Sequence, residues 1–550
     1  MADLLRDDAL LPRVESVVAP VGQVTQSLID LRAGRWCRQP DFAVVWTRPE
    51  AAIRSFLALQ HHERVSADTL QEEVDEFADL LLGASGRVEC LFVPSWTVPY
   101  YRRCLGLLAM RPDFGCAYAL MRMNQRLVER LQASSNIFVL DASRWLATVG
   151  GNASDPKLWL LGKIAFSLEV FREASADIKA GLRGLAGLSK KLIVLDLDDT
   201  LWGGVVGETG WENLRIGGHD PVGEAFVEFQ QALKALRRAG VLLGIVSKND
   251  EATAFVAVDQ HPEMVLRRAD FAGWRINWND KATNLAGLAA ELNLGLDSVV
   301  FIDNDPAERA RVREALPEVS VPDWPADKLL YARTLLEMRL FDNPVITGED
   351  AARTEMYLAG RERSALQHSL QSLEDWLRSL GLTVKPQNLD KSNLVRADQL
   401  LNKTNQMNLA TRRMGETDLL AWSQQEGQRV FTFRVADRFG DYGLTGLASI
   451  QRDGPQARIV DFLLSCRVMG RGVEAAILHV LIEYARAEGA LEIVARCLPT
   501  PRNGPCLEFF EQRSGFARGP EEGCFVWNAK AKYSLPPHIA LDAESCYTSA

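Results

Sequence analysis

The sequence predicts an α/β protein of several domains, and three observations carry that class. The chain has 550 residues, too many for one core and enough, on size statistics, for about three or four domains. From the N-terminus to residue 325, short apolar runs alternate with amphipathic stretches, the pattern of parallel strands joined by helices. Beyond residue 386 the apolar runs follow one another directly, as antiparallel strands do.

The elements read in order as follows. In residues 1–188 the runs 42–46, 88–93 and 136–140 are strands, and 67–82 and 118–131 are amphipathic helices between them. Residues 189–325 form a second α/β domain: strand 191–195, helix 222–239, strand 241–246, helix 281–292 and strand 298–302. The first of these helices places Phe226, Phe229, Leu233 and Leu236 at three- and four-residue steps, a stripe that faces a core. Residues 326–385 read as a helical connector, with a helix over 357–379. Residues 386–530 form a mixed α+β domain with strands 430–436, 445–451 and 458–464, helix 472–488, strand 491–495 and a helix near 506–514. Residues 531–550, with Pro536 and Pro537, are expected to be a poorly ordered tail.

Composition narrows the function classes. The net charge of −10 argues against nucleic-acid or membrane-surface partners, which want a basic footprint, while leaving room for a local basic pocket. Nine cysteines from Cys37 to Cys546, an odd number without CxxC spacing, fit neither a disulfide framework nor a zinc ribbon. They suit a reducing compartment. The opening MADLLRDDALL is broken by Arg6, Asp7 and Asp8, unlike a signal peptide. No apolar run approaches the length of a membrane span. A cytoplasmic protein is expected.

The chemistry concentrates in the second domain. KLIVLDLDDTLWGG puts Asp196, Asp198 and Asp199 just past an apolar strand, at the edge where open parallel sheets bind ligands. Carboxylates packed there repel unless a cation neutralises them. Magnesium suits oxygen ligands and accepts phosphate oxygens in its remaining positions. Asp196 can then attack phosphorus, and Asp198 can protonate the leaving oxygen and afterwards activate water. Ser247, ending GIVSKN, offers a hydroxyl to a phosphoryl oxygen. Lys281, opening a helix in WNDKATNL, can offset the charge that develops in transfer. Asp303, ending SVVFID, can complete the metal shell, with Asp305 nearby.

Nucleophile, hydroxyl, lysine and carboxylate, in that order after successive strands or at a helix start, resemble the haloacid-dehalogenase superfamily. The resemblance implies a Rossmann-like core with Mg2+ as cofactor. It implies Asp196, Asp198, Ser247 and Lys281 as catalytic residues, Asp196, Asp198 and Asp303 as metal ligands, and Thr200 and Asn249 as substrate contacts. The words DLDDTLWGGVVGETG, VSKND, FIDNDPAER, LLNKTNQMNLATRR and LLSCRVMGRGVE are similar to the FkbH-like branch of polyketide pathways, over residues 190–520. That resemblance implies loading of a glyceryl unit from 1,3-bisphosphoglycerate onto an acyl carrier protein, with dephosphorylation. A stand-alone phosphatase of a small phosphorylated metabolite is the alternative. The family reads Asp-Asp-Asn-Pro where this chain has Asp303-Asn304-Asp305-Pro306, which leaves open which second carboxylate supports the metal.

In the third domain, Arg467, Gly470 and Gly472 follow a strand and open a helix, where glycines expose N–H groups as a cradle for phosphate. With the antiparallel strands before it and Gly515-Phe516 after, the segment resembles the acyl-CoA N-acetyltransferase (GNAT) fold. The resemblance implies a place for a phosphopantetheine arm; a purely structural turn is the other reading. Cys466, at a helix start beside Arg467, reads either as a transient glyceryl acceptor or as a small buried hydrophobe. Lys403, Asn405, Asn408 and Arg412 read as an anion or carrier contact, or as the solvated face of a capped helix. Residues 130–165 resemble the C-terminal half of SGNH-type esterases. No serine nucleophile follows the first strand, VVWTRP, and Asp155 is followed by Pro-Lys-Leu instead of completing DxxH. A degenerate docking or support domain is expected there, with Trp159 and Lys163 as packing and surface residues.

Overall fold

The computed structural model describes residues 1–542 except 21, 37, 104–105, 345–353, 355–371, 405 and 501–502. The chain divides into two units, Met1–Leu182 and Arg183–Ala550.

In the first unit β1 (Phe42–Val44), α1 (Ala67–Ser85), β2 (Cys90–Pro94), α2 (Cys116–Leu131) and β3 (Ile137–Leu140) follow in turn. The strands form a parallel sheet in the order β1-β2-β3. Helix α1 begins where the Thr69 N–H donates to the Ser66 hydroxyl, and it buries Leu70, Val74, Phe77 and Leu81 at helical spacing. Trp159 and Lys163 meet in a cation–π group: the Arg48 guanidinium lies 4.0 Å and the Lys163 ammonium 5.2 Å from the Trp159 ring centroid.

The second unit opens with β4 (Leu192–Leu195), α3 (Pro221–Arg238), β5 (Leu242–Ser247), α4 (Glu251–Gln260), β6 (Gly273–Ile276), α5 (Lys281–Glu291), β7 (Val299–Ile302) and α6 (Pro306–Ala315). Its parallel sheet has the order β6-β5-β4-β7. Strand β4 is flanked on both sides and wholly buried, which is why it reads as an unbroken apolar run. Its alternate residues serve opposite faces. Ile193 and Leu195 join Phe226, Phe229 and Leu233 of α3 in one core, while Leu192 and Val194 join Leu285 and Leu288 of α5 in the other.

Three elements of this domain, β6, α4 and α6, are absent from the sequence reading. Strand β6 lies at the edge, and its Trp274 and Arg275 are half-buried, so no apolar run marks it. Helix α4 was not foreseen either. It starts at Asp250, whose carboxylate accepts from the Thr253 N–H. The expected limit at residue 325 also cuts through a packed core. Helix α7 (Tyr331–Leu336) buries Tyr331, Ala332 and Leu335 in the core of Phe226 and Phe229. The Tyr331 ring stands 5.7 Å from that of Phe229 and 5.0 Å from that of Trp324. Residues 326–341 therefore pack on this domain, although they read as connector.

Of the helix expected over 357–379, residues 357–371 lie outside those described, and Leu373–Leu380 is helical. Then follow β8 (Leu382–Asn388), α8 (Leu394–Lys403), β9 (Met407–Asn408), β10 (Gln428–Asp437), β11 (Gly440–Asp453), β12 (Gln456–Leu464), α9 (Val473–Ala487), β13 (Glu492–Arg496), β14 (Ala517–Arg518), β15 (Cys524–Asn528) and β16 (Ile539–Leu541). The nine-stranded sheet runs β14-β15-β13-β12-β11-β10-β8-β16, with β9 also on β12. Pairing is antiparallel except between β12 and β13 and between β8 and β16. Strand β16 corrects the expected tail: Ile539–Leu541 pairs with Leu382–Val384 and buries Ile539. Three residues after two prolines are too few to show a periodicity. Residues 543–550 lie outside those described.

Phe229→Ala should destabilise the central domain by about 3–5 kcal/mol, the usual cost of a large buried ring. Urea denaturation of the variant against the parent chain measures it.

Candidate active site

Four strand-end or helix-start positions converge at the C-terminal edge of the β4–β7 sheet. Asp196 follows β4, Ser247 ends β5, Lys281 opens α5 and Asp303 follows β7. The start of α5 is set by Asp280, whose carboxylate accepts from the Thr283 N–H at 3.0 Å. This delivers the Lys281 ammonium between two carboxylates, 2.6 Å from Asp303 Oδ2 and 3.2 Å from Asp196 Oδ1. The three side chains are 5%, 0% and 9% exposed respectively. The Ser247 hydroxyl and the Leu197 N–H lie beside Asp196 and favour its charged form.

Burial dominates the electrostatics. It pushes Asp196 up despite Lys281 and Ser247. Asp303 is raised to about 6, by burial first and then by repulsion from Asp196. Burial pulls Lys281 down, yet its two carboxylate neighbours outweigh that and hold it above the usual lysine range. Two buried carboxylates against one ammonium leave the cluster an excess of negative charge.

Asp198 is placed differently. Its Oδ1 accepts from Trp202 Nε1 at 2.9 Å and from the Val206 N–H at 3.0 Å, and its Oδ2 accepts from Asn249 Nδ2 at 2.9 Å. Burial raises its pKa, which favours the protonated form an acid catalyst needs. Asn249, expected as a substrate contact, instead holds Asp198. Thr200 is also spent within the protein: its hydroxyl donates to Asn304 Oδ1 and accepts from the Asn304 N–H, both at 3.2 Å. These contacts tie the end of β4 to the end of β7. Asp305 is exposed and caps α6 through the Ala307 N–H at 2.8 Å. The order Asn304-Asp305 thus gives the first residue to Thr200 and the second to a helix start, leaving Asp303 as the buried carboxylate.

The oxygen donors fit magnesium. Among the described residues no three His, Cys, Asp or Glu side chains converge, and Asp198, expected in the metal shell, has both carboxylate oxygens engaged as above. Asp196 and Asp303 meet at the Lys281 ammonium, and the Asp198 oxygens keep lone pairs beyond these hydrogen bonds. Magnesium commonly takes one or two protein carboxylates and fills its octahedron with water and phosphate oxygens, and the uncompensated charge here calls for a cation.

Several residues shape this site in ways the sequence reading did not assign. Asp199 adopts a left-handed φ of +54° directly after Asp198. Its carbonyl accepts from Lys328 Nζ at 2.8 Å and from the Tyr331 hydroxyl at 3.3 Å. Burial pushes Tyr331 up to about 12, so it stays a neutral donor. Gln230 is fully buried, donating to the Leu201 carbonyl at 2.8 Å and accepting from the Val265 and Leu266 N–H groups at 2.9 and 3.1 Å. A glutamine on the apolar stripe of α3, between Phe226 and Leu233, was the one available hint.

The C-terminal candidates lie before α9 and around β9. Gly470 and Gly472 have left-handed φ values of +75° and +85° just before it. Arg467 donates to Ser465 Oγ at 3.1 Å and to the Tyr442 carbonyl at 3.4 Å. The side chains of Cys466 and Lys403, and all of Asn405, lie outside the described residues. Asn408 closes its own loop, donating to the Thr404 carbonyl and accepting from the Ala410 and Thr411 N–H groups. Arg412 pairs with the buried Asp461. Both side chains thus have structural partners inside the domain.

No family model matches the chain, and no curated protein does. Among solved structures, the N-terminal part of protein BF1531 from Bacteroides fragilis, containing a phosphatase domain complexed with Mg, is similar at TM-score 0.54 and 29% identity, over 61% of this chain and 88% of that one. A mutant spermidine N-acetyltransferase from Vibrio cholerae is similar at TM-score 0.22 and 14% identity, over 27% of this chain and 94% of that one. The ribosomal-protein-S18-alanine N-acetyltransferase from Escherichia coli stands at TM-score 0.19 and 16% identity, over 26% of this chain and 90% of that one.

Lys281→Met should cost about 3–5 kcal/mol of stability, because it leaves two buried carboxylates without their counter-charge. Magnesium should return part of that loss. Urea denaturation in EDTA and in magnesium chloride measures both.

Proposed function

We propose that the central domain is a magnesium-dependent phosphatase acting through a phosphoaspartate on Asp196. One observation carries the reading: Asp196, Lys281 and Asp303 form a buried, negatively biased cluster at the ligand-binding edge of a parallel sheet, with an acid-competent Asp198 two residues from the nucleophile. The similarity to a phosphatase domain complexed with Mg supports it.

In this reading an Asp196 oxygen attacks phosphorus while the bond from phosphorus to the leaving oxygen breaks. Asp198 gives its proton to that oxygen. As a carboxylate it then takes a proton from water, whose oxygen attacks the phosphoaspartate and releases inorganic phosphate and free Asp196. Lys281 and the Ser247 hydroxyl face the transferring phosphoryl oxygens. Trp202, Val206 and Asn249 keep Asp198 oriented through both steps. Magnesium, held by Asp196 and Asp303, would neutralise phosphate charge.

The FkbH-like motifs extend the proposal to the substrate. The donor is 1,3-bisphosphoglycerate, and the acceptor is the thiol of an acyl carrier protein. A thiol, of Cys466 or of the carrier, attacks the acyl carbon; the C–S bond forms as the acyl C–O bond to phosphate breaks, and inorganic phosphate leaves with the thiol proton, unaided by the aspartates. The remaining phosphate ester is far harder to hydrolyse and is the task that suits Asp196. Cys466 is proposed as a transient glyceryl acceptor and the N-terminal unit as a docking module.

Asp196→Asn should keep the fold and abolish phosphate release, and EDTA should do the same reversibly, with magnesium restoring it. Metal-independent turnover, or an active Asp196→Asn variant, would remove the phosphoaspartate reading. Intact-mass measurement of carrier proteins incubated with enzyme and 1,3-bisphosphoglycerate separates loading from plain phosphatase action. A hydroxylamine-labile adduct that maps to Cys466, formed without carrier and absent from Cys466→Ala, is the expected signature of relay.

A further inference from the structure

The C-terminal domain has two features that elsewhere receive an extended, phosphate-bearing ligand, and this chain fills both itself. The first is the turn before α9. Its two glycines adopt left-handed φ, as in anion-binding backbone nests, and a Cβ at Gly472 would press on His538 Nε2 at 3.0 Å. The occupant is the Glu474 side chain, which is buried. Its Oε1 accepts from the Gly470 N–H at 2.6 Å, and the carboxylate also faces the N–H groups of Gly472 and of its own residue. A carboxylate thus stands where a phosphate would be held.

The second feature is the gap between β12 and β13. These parallel strands pair only over Gln456–Ile459 and Glu492–Ala495. Strand β12 runs on to Leu464, and parallel strands that part in this way leave backbone groups for an inserted arm. Here β9 takes them: Asn408 pairs with Leu463 and Met407 with Leu464. On the other side the Leu498 N–H donates to the Leu409 carbonyl at 2.9 Å. The Asn503 amide donates to the carbonyls of Asn408 and Leu498 at 3.0 and 2.8 Å. The gap and the turn lie at the end of β12, and both are satisfied from within.

We infer that Glu474 is a specificity-determining residue of this domain: its buried carboxyl group fills the amide nest and closes it to a pyrophosphate such as that of free coenzyme A. The inference concerns which thiol carrier the domain accepts, and it stands whether or not the central site is a phosphatase.

The test is calorimetric titration of the full chain with pyrophosphate and with coenzyme A, in EDTA so that no metal–phosphate complex forms at Asp196. The parent chain should bind neither. Glu474→Ala should bind both, at least about tenfold more tightly than the parent, and pyrophosphate should raise its melting temperature. Glu474→Ser, which leaves a small polar acceptor for the amides while freeing the space, should gain binding as well and covers the case in which the alanine variant fails to fold. Binding of coenzyme A by the parent as tight as by the variants would overturn the inference. So would a variant with a native circular dichroism spectrum that binds neither probe.

Discussion

A single ammonium between two buried carboxylates is the constraint around which the central domain is arranged. Removing three charges from water is costly, and one lysine cannot balance two aspartates in a dry site. The arrangement persists because the surrounding elements leave it no alternative. Asp196 and Asp303 follow adjacent buried strands, and Lys281 is held at the first position of a capped helix. The remaining negative bias makes the site receptive to a divalent cation and, through it, to phosphate.

Asp198 is held by a separate set of contacts. Trp202, Val206 and Asn249 hold the Asp198 carboxylate, while Lys328 and Tyr331 hold the carbonyl of the left-handed Asp199 beside it. Asp196 is thus positioned by the sheet, and Asp198 by a turn whose anchor comes from residues beyond the four-stranded sheet. That division explains why α7 belongs to the core of this domain. Without Tyr331 packed on Phe226 and Phe229, the clamp on Asp199 would have no base.

The C-terminal sheet shows the opposite use of a carboxylate. At Asp196 and Asp303 two buried carboxyl groups share one ammonium; at Glu474 a single buried carboxyl group is held by the Gly470 N–H. The first arrangement invites a cation, whereas the second excludes an anion. Asn408 and Arg412 likewise meet their hydrogen-bonding needs inside the domain.

The sequence by itself determined where the central site lies and three of the four strands that build it. Asp196, Ser247 and Asp303 each end a buried strand, and a strand buried on both faces must be a continuous apolar run, which is visible without a structure. Lys281 was legible for a related reason, since Asp280 before it and Thr283 after it mark a helix start. The tertiary structure decided what those side chains touch. Thr200 and Asn249 look like ligands for phosphate in a motif, but contact between the ends of β4, β5 and β7 commits them to Asn304 and Asp198. Edge strand β6, the short strand β16 and the anchoring pair Lys328 and Tyr331 were silent because their roles arise from residues distant in the chain. Periodicity records which face of an element is buried; it holds no record of the partner that buries it.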